Sequence, residues 1–131
     1  MFDFRRVRDV ANVLYRMDGE EFDRSAISRY YYSLFGCCRL YLIIILGEYN
    51  FISGADIHKR ICNRLKDSNN PTEHSLGTIL DTLRQFRNLA DYDWDKKDSD
   101  FFQEKLEYVK KESKVGLQQV EALKKSPPFK L

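Results

Sequence analysis

A chain of 131 residues with 43% hydrophobic and 32% charged residues and a formal net charge of +2 is most simply one domain. That length buries roughly two thirds of the surface the unfolded chain would expose, so a hydrophobic core holds it without staples. A charge so near neutral does not by itself demand a nucleic acid. With no Gly-x-Gly-x-x-Gly or Walker-type loop, no serine or cysteine triad, no internal repeat and no low-complexity tract, nucleotide-cofactor chemistry is unsupported.

In chain order, a first helix is expected over 3–17, with Phe4, Val7, Val10, Ala11, Leu14 and Met17 on one stripe and Gly19 as its stop. A second begins near Asp23 or Ser25 and runs to Leu46, where Gly47 gives the exit. Tyr30, Tyr31 and Tyr32 span three of its faces, at least one in the core and another free to line a cleft. Residues 30–46 resemble a membrane span, but the run is only 17 residues long and carries Arg39 near its middle. An arginine at the bilayer centre costs several kcal/mol, so the stretch is expected to be a central bundle helix, with no membrane contact.

A third helix follows Ser53 and Gly54 and buries Ile57, Ile61 and Leu65. Residues 66–71 form a turn-rich linker, and Pro71 suits the first turn of a fourth helix ending near Ala90. Leu76, Ile79, Leu80, Leu83, Phe86 and Ala90 make its buried stripe, and its other flank carries Arg84, Arg87, Asn88 and Asp91. Residues 91–100 are expected to be an acidic loop. The alternation of Asp91, Asp93, Asp95, Asp98 and Asp100 is not a calcium loop, because Phe102 stands where a ligating Glu is needed and the central Gly is absent. Trp94 is expected to pack over the bundle end. Ser99 or Asp100 caps a fifth helix with Phe102, Leu106, Val109, Ser113, Gly116, Val120 and Leu123 facing inward, and the small Ser113 and Gly116 allow close approach. Pro127 and Pro128 end it, giving one domain over 1–125 and a short disordered basic tail over 126–131.

The expected fold class is therefore all-α, an up-and-down helical bundle of four to five helices whose long helices leave apolar faces for self-association. Every arginine lies at or before Arg87, whereas all lysines except Lys59 and Lys66 follow it. Guanidinium forks grip phosphate where ammonium acts as a point charge, so an RNA surface on the first four helices is permitted. Cys37, Cys38 and Cys62 are odd in number and no secretory leader is expected, which favours buried thiols and a cytoplasmic location. His58 and His74 have no Cys-x-x-Cys beside them, so no metal and no cofactor is expected.

Arg87-Asn88-Leu89-Ala90-Asp91-Tyr92-Asp93-Trp94 carries more chemistry than a helix end needs. Arg87 and Asp91 are spaced for an i to i+4 ion pair, and Arg29 is placed to cross-link helices through Asp91 or Tyr92. Ala26-Ile27-Ser28-Arg29-Tyr30-Tyr31-Tyr32-Ser33-Leu34-Phe35, with Cys37, Cys38 and Arg39 after it, resembles the second-helix signature of HEPN domains. His58-Lys59 resembles the His-Lys pair opening that family's third helix. The segment from Arg87 to Asp93 resembles its Arg-x-x-Ala-Asp-Tyr element at the end of the fourth.

The resemblance implies a HEPN-like bundle that homodimerises with its polar segments near the dimer cleft. It further implies a metal-independent endoribonuclease or RNA-binding effector of a microbial defence or toxin-antitoxin system. The alternative is a non-catalytic helical module holding a partner protein encoded nearby, such as an antitoxin, a nucleotidyltransferase or a nuclease. Many members carry an Arg followed after four to six residues by His; here Arg87 is followed at those distances by Tyr92, Asp93 and Trp94. Arg87, Tyr92, Asp91 and His58 are the candidate catalytic residues, with His58 contributed from another helix or the partner chain. Arg29, Tyr31, Arg84 and Asn88 are the candidates for binding RNA or a partner.

Overall fold

The structure, a computed structural model, describes residues 1–95, 98 and 100–128. Five α-helices and no strand make up the described residues: α1 (Arg5–Tyr15), α2 (Glu20–Leu40), α3 (Ile57–Lys66), α4 (Pro71–Tyr92) and α5 (Phe101–Lys125). Cross-links give the topology. Tyr30 on α2 donates to Asn12 on α1 at 2.6 Å and Ser33 to the Phe4 carbonyl at 3.0 Å, so the two helices are antiparallel. Arg24 reaches the Ala90 carbonyl and Tyr41 reaches Glu73, which sets α2 antiparallel to α4. Gln119 meets Ser75 while Phe86 meets Tyr108, so α4 and α5 also run in opposite directions. The all-α, up-and-down bundle read from the sequence is the fold observed.

The core is built around α2, on which α1, α4 and α5 pack, with α3 laid mainly on α4. Ala26, Ile27, Tyr30, Tyr31, Leu34, Phe35 and Cys38 are buried, so most faces of α2 are covered. This is why its sequence shows little amphipathic contrast. On α5 all seven expected inward positions from Phe102 to Leu123 are buried. Asn70 caps α4 by accepting the Glu73 N–H at 2.9 Å, with Pro71 in the first turn.

Several boundaries differ from expectation. α2 starts at Glu20 behind Gly19, and past Leu40 it continues as a π turn, Tyr41–Ile45, in which the Leu46 N–H donates to the Tyr41 carbonyl at 3.2 Å. α4 runs on through Asp91 and Tyr92, so these are helical rather than loop residues. Asp100 stands at the α5 N-cap without a capping hydrogen bond, and Ser99 lies outside the described residues, as does the tail beyond Pro128. On α1, Ala11 is buried, but Val10, Val13 and Met17 are 51%, 56% and 42% exposed. Arg8 takes the inward place, donating to Ser113 Oγ at 2.7 Å and to the Lys110 carbonyl at 3.1 Å. Among the described residues no helix is long and apolar enough to cross a membrane.

Candidate functional site

Tyr31, Tyr32 and Phe35 rise from the middle of α2 toward the first turn of α3, where His58 stands among them. The His58 ring stacks on Phe35 with centroids 4.1 Å apart and 17° between planes, and lies 5.6 Å from Tyr31 and 5.7 Å from Tyr32. α4 sets the Arg87 guanidinium over the same two rings, 5.2 Å from Tyr31 and 5.4 Å from Tyr32. Three helices therefore bring Arg87, Tyr31 and His58 into one cluster within one chain.

Hydrogen bonding fixes what the cluster presents. The Tyr31 hydroxyl and His58 Nδ1 are 2.6 Å apart. Burial pushes the Tyr31 phenol well above its usual range, so it keeps its proton. Nδ1 is its one hydrogen-bond partner among the described residues, so the phenol donates and Nδ1 accepts. Neutral His58 then carries its own proton on Nε2. Burial, with the guanidinium groups of Arg87, Arg84 and Arg39, holds its pKa below the usual 6.5, so the ring is neutral at pH 7.

Arg87 is only 8% exposed. Its Nη1 pairs with Asp91 at 3.8 Å, the i to i+4 contact expected, while its buried Nε–H has no acceptor among the described residues. A buried donor without a partner costs about 1–3 kcal/mol. The cluster thus offers N–H groups, one on a guanidinium and one on imidazole Nε2, and no free basic nitrogen.

The other candidates fall elsewhere. Asp91 accepts from Ser28 at 3.4 Å as well as pairing with Arg87. Arg29 does not bridge to Asp91 or Tyr92 as expected; it is exposed and lies 5.3 Å over the Tyr32 ring, at the rim of the cluster. Arg84 is held by Asp81 on its own helix at 2.9 and 3.2 Å. Asn88 makes no side-chain hydrogen bond among the described residues. Tyr92 is 67% exposed and lines an open groove of about 890 Å³, shared with Asp91, Ser28 and Arg29. Trp94, expected to pack over the bundle end, is 80% exposed and donates from Nε1 to the Asp91 carbonyl at 3.1 Å. Its place follows from the two further helical residues of α4, Asp91 and Tyr92, which carry the chain past the expected end at Ala90.

Sequence reasoning missed Phe35, the ring His58 stacks on; its position four residues after Tyr31 on one helix was the signal. It also missed a second polar centre. Buried Glu73 on α4 accepts from Tyr41 at 2.6 Å, Ser68 at 2.7 Å and Arg64 at 3.1 Å, and Arg64 also holds Glu48 at 2.7 and 2.8 Å. This centre ties the π turn to α3 and α4. Among the described residues no group of three or more His, Cys, Asp or Glu is placed to hold a metal ion. Cys38 and Cys62 are buried free thiols and Cys37 is half-buried; burial pushes Cys37 and Cys62 up to about 11.

Comparison of the chain with protein-family models, with curated proteins and with solved structures returned no match in any of the three.

Proposed function

We propose that this chain is a HEPN-type RNA-binding effector, of the kind used in microbial defence or toxin-antitoxin systems, whose Arg87–His58 cluster grips a phosphodiester. The observation that carries the reading is the pair of donors beside Tyr31 without an acceptor among the described residues: the Nε–H of Arg87 and the Nε2–H of a neutral His58. A guanidinium and a neutral imidazole N–H both donate to an anion without a competing acceptor, which is the chemistry a phosphate oxygen meets. Arg29 and Lys59, both exposed and adjoining the cluster in space or sequence, extend the basic surface along a strand.

The same geometry speaks for holding RNA rather than cutting it. Metal-free cleavage needs a base for the 2′-hydroxyl, and His58 Nδ1 is occupied by Tyr31. Tyr92, the other candidate for proton transfer, lines the groove beside Asp91 and makes no hydrogen bond to the Tyr31–His58 pair. α3 of the same chain supplies His58 to the cluster.

The test is binding of a short labelled single-stranded RNA by fluorescence anisotropy, with the RNA recovered on a gel after incubation in EDTA. The reading expects wild-type protein to bind and leave the RNA intact. Arg87→Ala should weaken binding about 10–100-fold, the worth of a charge-assisted hydrogen bond or two, and His58→Ala less. Cleavage in EDTA that disappears with Arg87→Ala replaces this reading with the nuclease. Equal failure of all proteins to bind favours a non-catalytic module that holds a partner protein such as a nucleotidyltransferase or nuclease. The near-complete burial of Arg87 is the observation on that side.

A further inference from the structure

We propose that, given RNA held at the Arg87–His58 cluster, the open groove beside it takes a guanine base of the same strand. The groove, of about 890 Å³, runs along the N-terminal half of α2 and the end of α4, with Ser28, Arg29, Asp91, Tyr92 and Trp94 in its lining. That is ample space for a nucleobase and its ribose. Two of these residues join the groove to the cluster. Asp91 pairs with Arg87 at 3.8 Å, and the Arg29 guanidinium lies 5.3 Å over Tyr32, a ring that Arg87 also covers. A strand whose phosphate meets Arg87 therefore passes the edge of the groove.

Aromatic surface and hydrogen-bond acceptors choose the base. Tyr92 and Trp94 are both exposed on the groove, two large rings left to solvent on one surface. The Trp94 indole is tied to the Asp91 carbonyl through Nε1 at 3.1 Å, so a base stacking on it has little left to order. Beside the rings stands the Asp91 carboxylate. Its contacts to Ser28 at 3.4 Å and to Arg87 at 3.8 Å are both long, which leaves lone pairs to spare. Arg24, also on the groove, is spent on Glu20 at 2.8 Å and on the Ala90 carbonyl at 3.0 Å. Among the four RNA bases only guanine turns two adjacent donors, N1–H and the N2 amino group, toward one carboxylate on its Watson–Crick edge. Adenine, cytosine and uracil each set an acceptor beside their donor, and a carboxylate repels it. Glu20, Glu21 and Asp91 in the lining disfavour phosphate within the groove, so the backbone stays on the Arg87 and Arg29 side and the neutral base enters.

Trp94 is the one tryptophan of the chain, so its fluorescence reports on the groove while anisotropy of a labelled strand reports on binding. The strands are short oligouridines carrying guanosine, inosine, adenosine or uridine at the centre. The guanosine strand is expected to bind about tenfold more tightly than the all-uridine strand and to quench Trp94. Inosine, which lacks the N2 amino group, should fall between them. Asp91→Asn should bring the guanosine and uridine strands to equal affinity, a ratio within one variant that a general loss of binding does not move. Trp94→Ala, at an exposed position that leaves the core untouched, should weaken the guanosine strand about fivefold or more, and Trp94→Phe should restore most of it. Strands that bind with equal affinity and leave Trp94 unquenched overturn the guanine site and leave the phosphate reading standing. Failure of every strand to bind overturns both. Quenching by an oligoarginine peptide and by none of the strands assigns the groove to a basic protein segment and overturns the guanine site as well.

Discussion

Glu73 is a carboxylate 2% exposed to solvent, and its neighbours decide its charge. Burial alone would raise its pKa, but hydrogen bonds from Tyr41, Ser68 and Arg64 outweigh that and hold it below the usual 4.5. A carboxyl depressed on folding contributes stability that is fully present above about pH 4.5 and is lost as pH falls through the lower, folded value. Urea midpoints measured from pH 7 down to pH 3 are expected to fall with acid in wild type and to fall less steeply in Glu73→Gln. At pH 7 the substitution should cost about 1–3 kcal/mol, since Arg64 keeps Glu48 but loses its second carboxylate. An acid limb unchanged by Glu73→Gln would remove the residue from this role.

Among the elements, two glycines set how closely helices approach. A Cβ on Gly116 of α5 would meet the side chain of Leu34 at 2.7 Å, while one on Gly77 of α4 would meet the Lys66 backbone nitrogen at 2.5 Å. A side chain can turn aside at modest cost, but the end of α3 is fixed by its own ladder and by the Lys66–Asp81 ion pair. Gly77→Ala should therefore destabilise by about 3 kcal/mol and Gly116→Ala by about 1–2 kcal/mol in chemical denaturation. The reverse order would show that α3 moves more easily than Leu34. The close approach at Gly116 was legible from the run of small residues on α5, because one apolar stripe facing one core leaves little ambiguity. The outward turn of Val10, Val13 and Met17 was not legible. Periodicity reports that a helix has an apolar side, and α1 has two, one closed by Arg8 reaching to α5.

At the scale of the whole molecule, the arginines bind the protein to itself. Arg8, Arg24, Arg39 and Arg60 donate to backbone carbonyls on other segments, and Arg64, Arg84 and Arg87 pair with carboxylates. The crowding of arginine into the chain up to Arg87 reflects helix ends and turns that need a planar donor more than a broad phosphate surface. Backbone acceptors leave no mark in a sequence, which is why that use was hidden while the i to i+4 pair of Arg87 and Asp91 was plain. The cluster of Arg87, Tyr31 and His58 was legible as residue types only; that three helices converge on it is a property of the packing. If RNA is bound there, few cations remain to hold it, and the salt dependence should be shallow. Arg29→Ala and Lys59→Ala are each expected to reduce the log–log salt slope of binding by about one, while Lys114→Ala on α5 leaves it unchanged. Titrations at several salt concentrations with the same labelled strand would check this. A slope that responds equally to Lys114→Ala would move the contact surface to α5.

The π turn at the exit of α2 also makes the chain one residue longer than a continuous α-helix would need over the same rise. It stands at the C-terminal end of the helix, with Leu46 as its cap and Gly47 at φ +70° just beyond, so the extra residue is taken up where the chain leaves the helix. A single-residue deletion there, at solvent-facing Ile44, should close the ladder into an ordinary α turn and melt within a few degrees of wild type. The same deletion at Leu34 would rotate every later side chain of the helix by about 100° and expose the core. Two chains differing only in the length of this turn can therefore share one fold, and the turn marks where such a length difference is absorbed.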